Sequence, residues 1–309
     1  MRVSFIVPLY NCLPLTQAML ASLQVTLPRD LPHEIVFVDD GSTDGTRAWL
    51  SSLTAPPFRV VLNDRNLGFA AANNRGAALA RSDFLVLLNN DLVLTPHWLE
   101  PMLAAHARFA PRTGVIGNVQ LDARTGAVDH AGMFINPKGK PEHVRTLPYF
   151  RSRLRPIRRV PAATAACALI ERSLWSELGG FDEKFLNGGE DVDFCLRASA
   201  AGRVNAVALR SIVRHHISAS PGRKQRDEHN SRRLALRWRA ELERLALRRW
   251  CWDHLSREWS GARDPATYAD ARAILAYVLH LRRTPPPAAL TGMSAAMDRE
   301  FARWEEILR

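Results

Sequence analysis

The sequence predicts an α/β fold, a doubly wound, mostly parallel sheet followed by a helical C-terminal extension. Two observations predict it. Short β-branched runs alternate with helical patterns through the first hundred residues, the order that builds parallel sheets with helices on both faces. Four successive runs also end in Asp-, Asn- or Gly-rich tips, and ligands of such sheets collect beyond the carboxyl ends of the strands.

Each element follows in order. Residues 3–7 make the first strand and 14–27 the first helix; residues 35–38 make the second strand, then a DDGSTDG turn and a helix around Trp49, Leu50 and Leu53. Residues 60–62 are the third strand, the Ala-rich segment 69–81 a helix, and 84–88 the fourth strand, closed by Asn89-Asn90-Asp91. Pro96 stands where a further helix would start. Residues 188–202 read as an acidic turn leading into a helix that Gly202 ends, and 206–213 as a strand before His215-His216. From 221 the chain reads as helical. Leu234, Trp238, Leu242 and Leu245 form one apolar stripe, and Ile274, Leu275, Val278 and Leu279 another. The expected division is a domain over 1–220 and a basic helical extension over 221–309.

Composition excludes several classes. The chain has 309 residues, 47% hydrophobic and 24% charged, which is globular rather than disordered. No apolar run reaches the ~20 residues of a membrane-spanning helix. The polar turn after the first apolar residues gives no expectation of a signal peptide. Cys12, Cys167, Cys195 and Cys251 are scattered without a CxxC pair, which argues against zinc and disulfides and for a reducing compartment. The formal charge of +11 predicts attraction to polyanions.

The polar tips carry the chemistry. A carboxylate at Asp39 or Asp40 can accept the imide N–H of uracil or thymine, with Tyr10 stacking on the base; Asp40, Ser42 or Asp44 can equally cap the next helix. Asn89, Asn90 and Asp91 offer one carboxylate and amide oxygens to a divalent cation, or form an Asx turn. Glu190-Asp191, after Gly188-Gly189, can provide a general base or simply suit a helix N-terminus. Of His215 and His216 at most one faces the site, because neighbouring strand residues point to opposite faces.

Together the segments FIVPLYN, VDDGSTDGT, NLGFAAANNRG, LLNNDLVL, GGFDEKFLNGGEDVDFCLRASAAG and VRHHISAS, in this order over residues 5–220, resemble the family 2 glycosyltransferases. These are inverting enzymes of the GT-A, Rossmann-like fold, and the likeness is to bacterial surface-polysaccharide and rhamnosyltransferase-like members. The resemblance implies Tyr10 and Asp40 against the base with Asp39 beside them, and Pro8, Asn11, Asn66, Gly68, Asn73, Asn74, Asn89 and Asn90 around the nucleotide-sugar. It implies Mg²⁺ or Mn²⁺ and the diphosphate at Asp91 with His215 (His216 the alternative). Asp191 becomes the catalytic base, supported by Glu190. Implied partners are a UDP- or dTDP-sugar donor and a glycan or polyprenyl-diphosphate-linked acceptor, handled in the cytoplasm or at the inner face of the membrane. Two departures stand out: asparagine leads the metal motif, and Ser-Pro-Gly follows the histidines where related members often carry arginine.

Other classes are open to the same charge. A nucleic-acid binder would use the Arg/Trp-rich segments, yet acidic strand tips repel a polyanion. A sugar nucleotidyltransferase would carry a Gly-rich basic signature after the first strand, where this chain has PLYNCLPLT. A catalytically silent glycan binder would keep the fold alone. The charge itself is localised. Residues 138–159, expected to form a mobile basic loop, hold eight Lys/Arg against one acid, and residues 221–309 hold 18 against 12. The extension, with Trp238, Trp250, Trp252 and Trp259 among its arginines, suits an anionic membrane surface or packs its Leu/Trp stripe on the catalytic domain.

Overall fold

The computed structural model describes residues 2–147, 154–216, 226–258 and 265–308. They form two compact units: Met1–Met133 with His143–Arg226, and Phe134–Glu142 with Asp227–Arg309.

The first unit is built on a mixed ten-stranded sheet. Its parallel half comes from β1 (Val3–Leu9), α1 (Leu13–Thr26), β2 (His33–Asp39), α2 (Thr46–Leu50), β3 (Phe58–Leu62), α3 (Phe69–Leu79) and β4 (Phe84–Leu88). β1 lies between β2 and β4 with Val3 opposite both His33 and Phe84, and β3 flanks β2. Every residue of β1 is buried, as expected of a parallel strand covered on both faces. α3 sits tightly on the sheet through small residues: a Cβ on Gly76 would lie 2.5 Å from Ile6 Cγ2, so close packing requires glycine there.

The second half turns the sheet mixed. It comprises β5 (Leu92–Leu94), α4 (Glu100–Phe109), β6 (Thr113–Asp122), β7 (Val128–His130), β10 (Ile157–Arg159), β11 (Cys167–Glu171), α5 (Arg172–Leu178), α6 (Glu190–Ala200) and β12 (Val204–His215); between β7 and β10 in the chain, β8 (Met133–Ile135) and β9 (Pro141–His143) fall mostly in the second unit. The strand order is β10-β12-β6-β11-β4-β1-β2-β3, with β5 on β12 and β7 on β6. β11 runs antiparallel between β4 and β6, while β8 and β9 form a separate hairpin. This is the doubly wound, mostly parallel core of the expected fold with a mixed half added, in which β6 and β12 pair in parallel and the other pairs are antiparallel.

Two local expectations need correction. The helix expected at Pro96 starts at Glu100, with Pro101 in its first turn; residues 95–99 make a turn instead. Residues 138–159 are not loop throughout, because they contain β9 and β10, and β10 pairs with β12. Residues 148–153 of that stretch, Trp259, and the Ser-Pro-Gly at 220–222 lie outside the described residues.

The second unit is helical: α7 (Asp227–Glu258), α8 (Pro265–Val278) and α9 (Pro287–Ile307). α7 leaves helical geometry at Trp238 (φ −120°, ψ 20°). Leu234, Leu242, Trp250, Ile274, Met293 and Trp304 are buried, and Gly292 leaves room for the Trp250 ring. Leu279, expected in the apolar stripe, is 50% exposed. The chain segment Asn136–Lys140 is anchored in this unit by charge. Lys140 Nζ lies 2.8 Å from Glu228 and 3.1 Å from Glu300, Arg303 pairs with both acids, and Trp304 Nε1 donates to Glu228 at 2.7 Å.

Burial alone would raise the Glu228 pKa, but hydrogen bonds from Lys140, Trp304 and Arg303 outweigh it and hold the carboxyl at about 2 against an ordinary 4.5. A carboxyl lowered by folding stabilises above its unfolded pKa and loses that contribution as pH falls through the folded value. Stability therefore drops between pH 4.5 and about 2, and Glu228→Gln flattens that part of the profile in urea denaturation followed by circular dichroism.

Candidate active site

The site begins at the tips of the parallel strands. Pro8 is buried in β1 opposite Val38, and Tyr10 follows the strand with 43% of its surface exposed. Asn11 and Cys12 adopt left-handed backbone (φ 57° and 62°). Asn11 N–H donates to Ser42 Oγ at 2.7 Å, while its side-chain oxygen accepts from Thr43 N–H (2.8 Å) and Asp44 N–H (3.3 Å). Asn11 thus ties the β1–α1 loop to the β2–α2 loop.

The two aspartates that close β2 differ. Asp40 is a structural acceptor for the next tip: Oδ1 accepts from Asn63 Nδ2 (2.7 Å) and Leu67 N–H (2.9 Å), and Oδ2 from Gly68 N–H (2.8 Å). Asp39 is buried, with Oδ2 accepting Ser42 N–H at 3.3 Å and 3.6 Å from Arg47 Nε as an ion pair, while Oδ1 has no hydrogen-bond partner among the described residues. Gly41 (φ 81°) passes so near Arg65 that a Cβ would lie 2.7 Å from its carbonyl carbon.

Beyond that turn, Asn66 is exposed and Gly68 (φ 95°) precedes α3. Asn73 is buried. Its Nδ2 bonds Phe69 C=O at 2.9 Å and its Oδ1 has no partner. Asn74 is fully engaged elsewhere: it bonds both backbone groups of Phe181 and the Glu183 carboxylate, each at 2.9 Å.

The tip after β4 brings the metal candidates together. Asn90 Nδ2 bonds Thr16 Oγ1 at 2.9 Å and holds α1. Asp91 stands just before β5, and His215 pairs with Leu92 at the end of antiparallel β12. His215 Nε2 consequently lies 3.2 Å from Asp91 Oδ1, with His215 almost wholly buried and Asp91 13% exposed. His216 only donates its backbone N–H to Asp91 C=O at 3.0 Å. On the other side of the ring, His215 Nδ1 faces Asp129 Oδ2 at 3.9 Å, and Arg145, 71% exposed, lies 3.7 Å from Asp129 Oδ1. Among the described residues neither His215 nitrogen nor Asp91 Oδ1 has a hydrogen-bond partner.

Glu190 and Asp191 open α6 after a turn in which Asn187, Gly188 and Gly189 all take positive φ (57°, 157°, 92°), a path that suits glycine. Glu190 is buried and accepts Gly188 N–H at 2.8 Å, which fixes that turn. Asp191 is half-buried; Oδ1 accepts Val192 N–H at 2.8 Å and Oδ2 accepts Ala165 N–H at 3.2 Å. Asp193 instead forms a buried pair with Arg197 at 2.8 Å, whose guanidinium also holds Leu178 and Gly180 carbonyls.

The sequence profile of glycosyl transferase family 2 matches residues 4–179. The chain belongs to this family. It is 33% identical over 233 residues to the O-antigen biosynthesis protein RfbC of Myxococcus xanthus, covering 71% of the chain and 18% of that protein. It is 30% identical over 237 residues to N-acetylglucosaminyl-diphospho-decaprenol L-rhamnosyltransferase of Mycobacterium tuberculosis, covering 69% of the chain and 76% of that enzyme. An uncharacterized Sinorhizobium fredii protein is 33% identical over 261 residues, and the chain spans 27% of it. The chain thus spans about a quarter or less of two of these relatives. Among solved structures, GalNAc-T7 with UDP, GalNAc and Mn²⁺ superposes with a TM-score of 0.63 at 20% identity, over 78% of the chain and 50% of that protein. It shares the GT-A fold.

Within this family 2 chain, sequence reading passed over Asp129, His130 and residues 162–166. His130 is wholly buried; burial first, then His143 and His215, push its pKa well below 6.5 and keep it neutral. The available signals were a histidine in a short strand beside an acid and the run Ala-Ala-Thr-Ala-Ala. All four cysteines are free thiols.

Because Asp40 accepts three donors from the 63–68 turn, Asp40→Asn sets an amide N–H against a backbone N–H. A loss of about 1–3 kcal/mol follows, read as a lower urea midpoint at unchanged slope. Tyr10→Ala, at an exposed position, leaves the midpoint in place.

Proposed function

We propose that the chain is an inverting glycosyltransferase that moves a sugar from a UDP- or dTDP-sugar to a hydroxyl of a glycan or polyprenyl-diphosphate-linked acceptor in bacterial polysaccharide synthesis. The observation that carries this reading is the placement of Asp191 and the Asp91–His215 pair around one buried segment. Ala165 N–H holds Asp191, and Ala166 C=O accepts Asn89 N–H at 2.8 Å at the root of the metal tip.

The donor set fits a divalent cation. Buried polar atoms ordinarily have hydrogen-bond partners, whereas Asp91 Oδ1 and both His215 nitrogens have none. Among the described residues no group of three or more His, Cys, Asp or Glu could hold a metal, and Asp91 and His215 are the two proposed ligands. That number suits Mg²⁺ or Mn²⁺ completed by substrate phosphates and water. Asp129 Oδ2 stands 3.9 Å from the far ring nitrogen, too far for a hydrogen bond, on the side where a ligating histidine ordinarily has its second partner. When bound, the ion neutralises charge that develops on the departing diphosphate.

The remaining groups divide into binders and positioners. Exposed Tyr10 stacks on the base, and Asp39 keeps one unpartnered carboxylate oxygen for its imide N–H. Asn66 serves the ribose or phosphates, and Asn73 and Asn89 can accept ribose hydroxyls through side-chain oxygens that have no partner among the described residues. Asn11, Asp40, Asn74 and Asn90 hold the loops, and Glu190 holds the Gly188-Gly189 turn. Asp191 takes the proton of the acceptor hydroxyl as that oxygen bonds to the anomeric carbon. The carbon–phosphate oxygen bond breaks on the opposite face, and nucleoside diphosphate leaves. A single displacement through an oxocarbenium-like state inverts the centre.

The proposed setting is the cytoplasm and the inner face of the membrane. Among the described residues no helix is long and apolar enough to cross a membrane. The decaprenol-linked substrate in the mycobacterial relative's name supports a lipid-linked acceptor.

Asp191→Asn lowers turnover by about 10²–10⁴-fold, the range for a lost general base, while the dissociation constant of the sugar nucleotide stays within about two-fold. Near-wild-type turnover in that variant overturns the base assignment. Calorimetry with donor and a radiolabelled transfer assay give both quantities.

A further inference from the structure

We infer that the turn joining α8 to α9, residues 279–283, docks the protein on a bilayer with anionic headgroups, Leu279 and Leu281 entering the interface while Arg282 and Arg283 meet the phosphates. α8 closes with Leu281 N–H and Arg282 N–H both on Ala276 C=O, at 2.9 and 3.0 Å, and His280 N–H on Tyr277 C=O at 3.2 Å. His280 takes the left-handed conformation (φ 63°) where glycine is usual. In such a helix end the apolar residue after the left-handed one ordinarily folds back on the last turn. Leu281 does not, and is 79% exposed, with Leu279 exposed beside it. The helix end therefore holds two leucines in water at a place where its own geometry offers cover.

The charge carried by the chain on either side of these leucines has one sign. No Asp or Glu occurs in the 27 residues between Asp270 and Asp298, which contain Arg272, His280, Arg282 and Arg283. Arg248 on α7 adds a further cation, donating to Tyr277 C=O at 2.8 Å and Val278 C=O at 3.2 Å. Arg244, also near Tyr277, is already paired with Glu241 at 2.6 Å. Arg282 Nε donates to Thr284 C=O at 2.9 Å, which holds the turn, and Arg283 is exposed.

Apolar side chains rimmed by arginine fit the boundary between acyl chains and anionic headgroups. A nucleic acid would satisfy the arginines and leave the leucines in water. Trp250 and Trp304 are buried and cannot enter the interface; Trp252, 53% exposed on α7, belongs to a different element from the 279–283 turn. The inference rests on the membrane setting and lipid-linked acceptor of the proposed function, and its test does not depend on turnover.

The test is co-sedimentation of the full chain with vesicles of phosphatidylcholine alone and of phosphatidylcholine with phosphatidylglycerol. The wild-type chain partitions onto the anionic vesicles and is released as salt rises. Arg282→Ala and Arg283→Ala each weaken partitioning about five-fold. Leu281→Ser weakens it by about ten-fold. Circular dichroism melting shows the variants folded, and donor-induced thermal stabilisation, unchanged in them, reports separately on the nucleotide site. Equal partitioning of the variants and wild type, or no preference for anionic vesicles, overturns the inference. So does a wild-type dimer in light scattering that Leu281→Ser dissolves, because a second copy would then cover the leucines.

Discussion

Three consecutive residues between β10 and β11 hold the candidate chemistry in place. Thr164 N–H points to His130 Nε2 at 3.5 Å, Ala165 N–H bonds Asp191 at 3.2 Å, and Ala166 C=O accepts Asn89 N–H at 2.8 Å. One short stretch of backbone thereby connects the proposed metal tip after β4, the proposed base on α6 and the histidine next to Asp129. Backbone groups suit this task because they have no rotamers to lose. The run of alanines has a steric reason: Ala163 lies against Gly117 of β6, where a Cβ on the glycine would come within 2.6 Å of the alanine Cβ. Larger side chains on either partner would force β6 and this segment apart.

Around that connection the polar side chains fall into two kinds. Asn11, Asp40, Asn74, Asn90 and Glu190 have their hydrogen bonds inside the protein and fix loop positions. Asp39, Asn73, Asn89, Asp91 and His215 each retain at least one buried atom without a partner. A buried polar atom left unbonded costs about 1–3 kcal/mol, so several at the carboxyl ends of one set of strands mark the place where a polar ligand repays folding. The first kind makes the cradle and the second faces its content.

Much of the fold was legible because the parallel half obeys simple periodicity. β1 to β4 are apolar runs ended by tip residues, and the helix over Phe69–Leu79 follows from its alanines. The mixed half and the β8–β9 hairpin were harder: β7, β8, β9 and β10 are three residues each, too short for any period to show. The loop-holding contacts of Asp40 and Asn74 were not legible, because their partners lie 23–28 and 107–109 positions away. Strand alternation limited the choice between His215 and His216, and only the pairing of β12 with β5 puts His215 against Asp91. The Arg/Trp content of the extension was visible, but which tryptophans are buried depends on how α7 and α9 pack.

The central claim is that the strand tips bind a pyrimidine sugar nucleotide together with a divalent cation at Asp91 and His215. The most direct measurement is a thermal-shift panel of UDP- and dTDP-sugars, each with and without Mn²⁺. The account predicts stabilisation by one nucleotide class, larger with Mn²⁺ than without it, and loss of the Mn²⁺ increment in His215→Ala. An unchanged melting temperature across the whole panel, or an equal Mn²⁺ increment in His215→Ala, would contradict it.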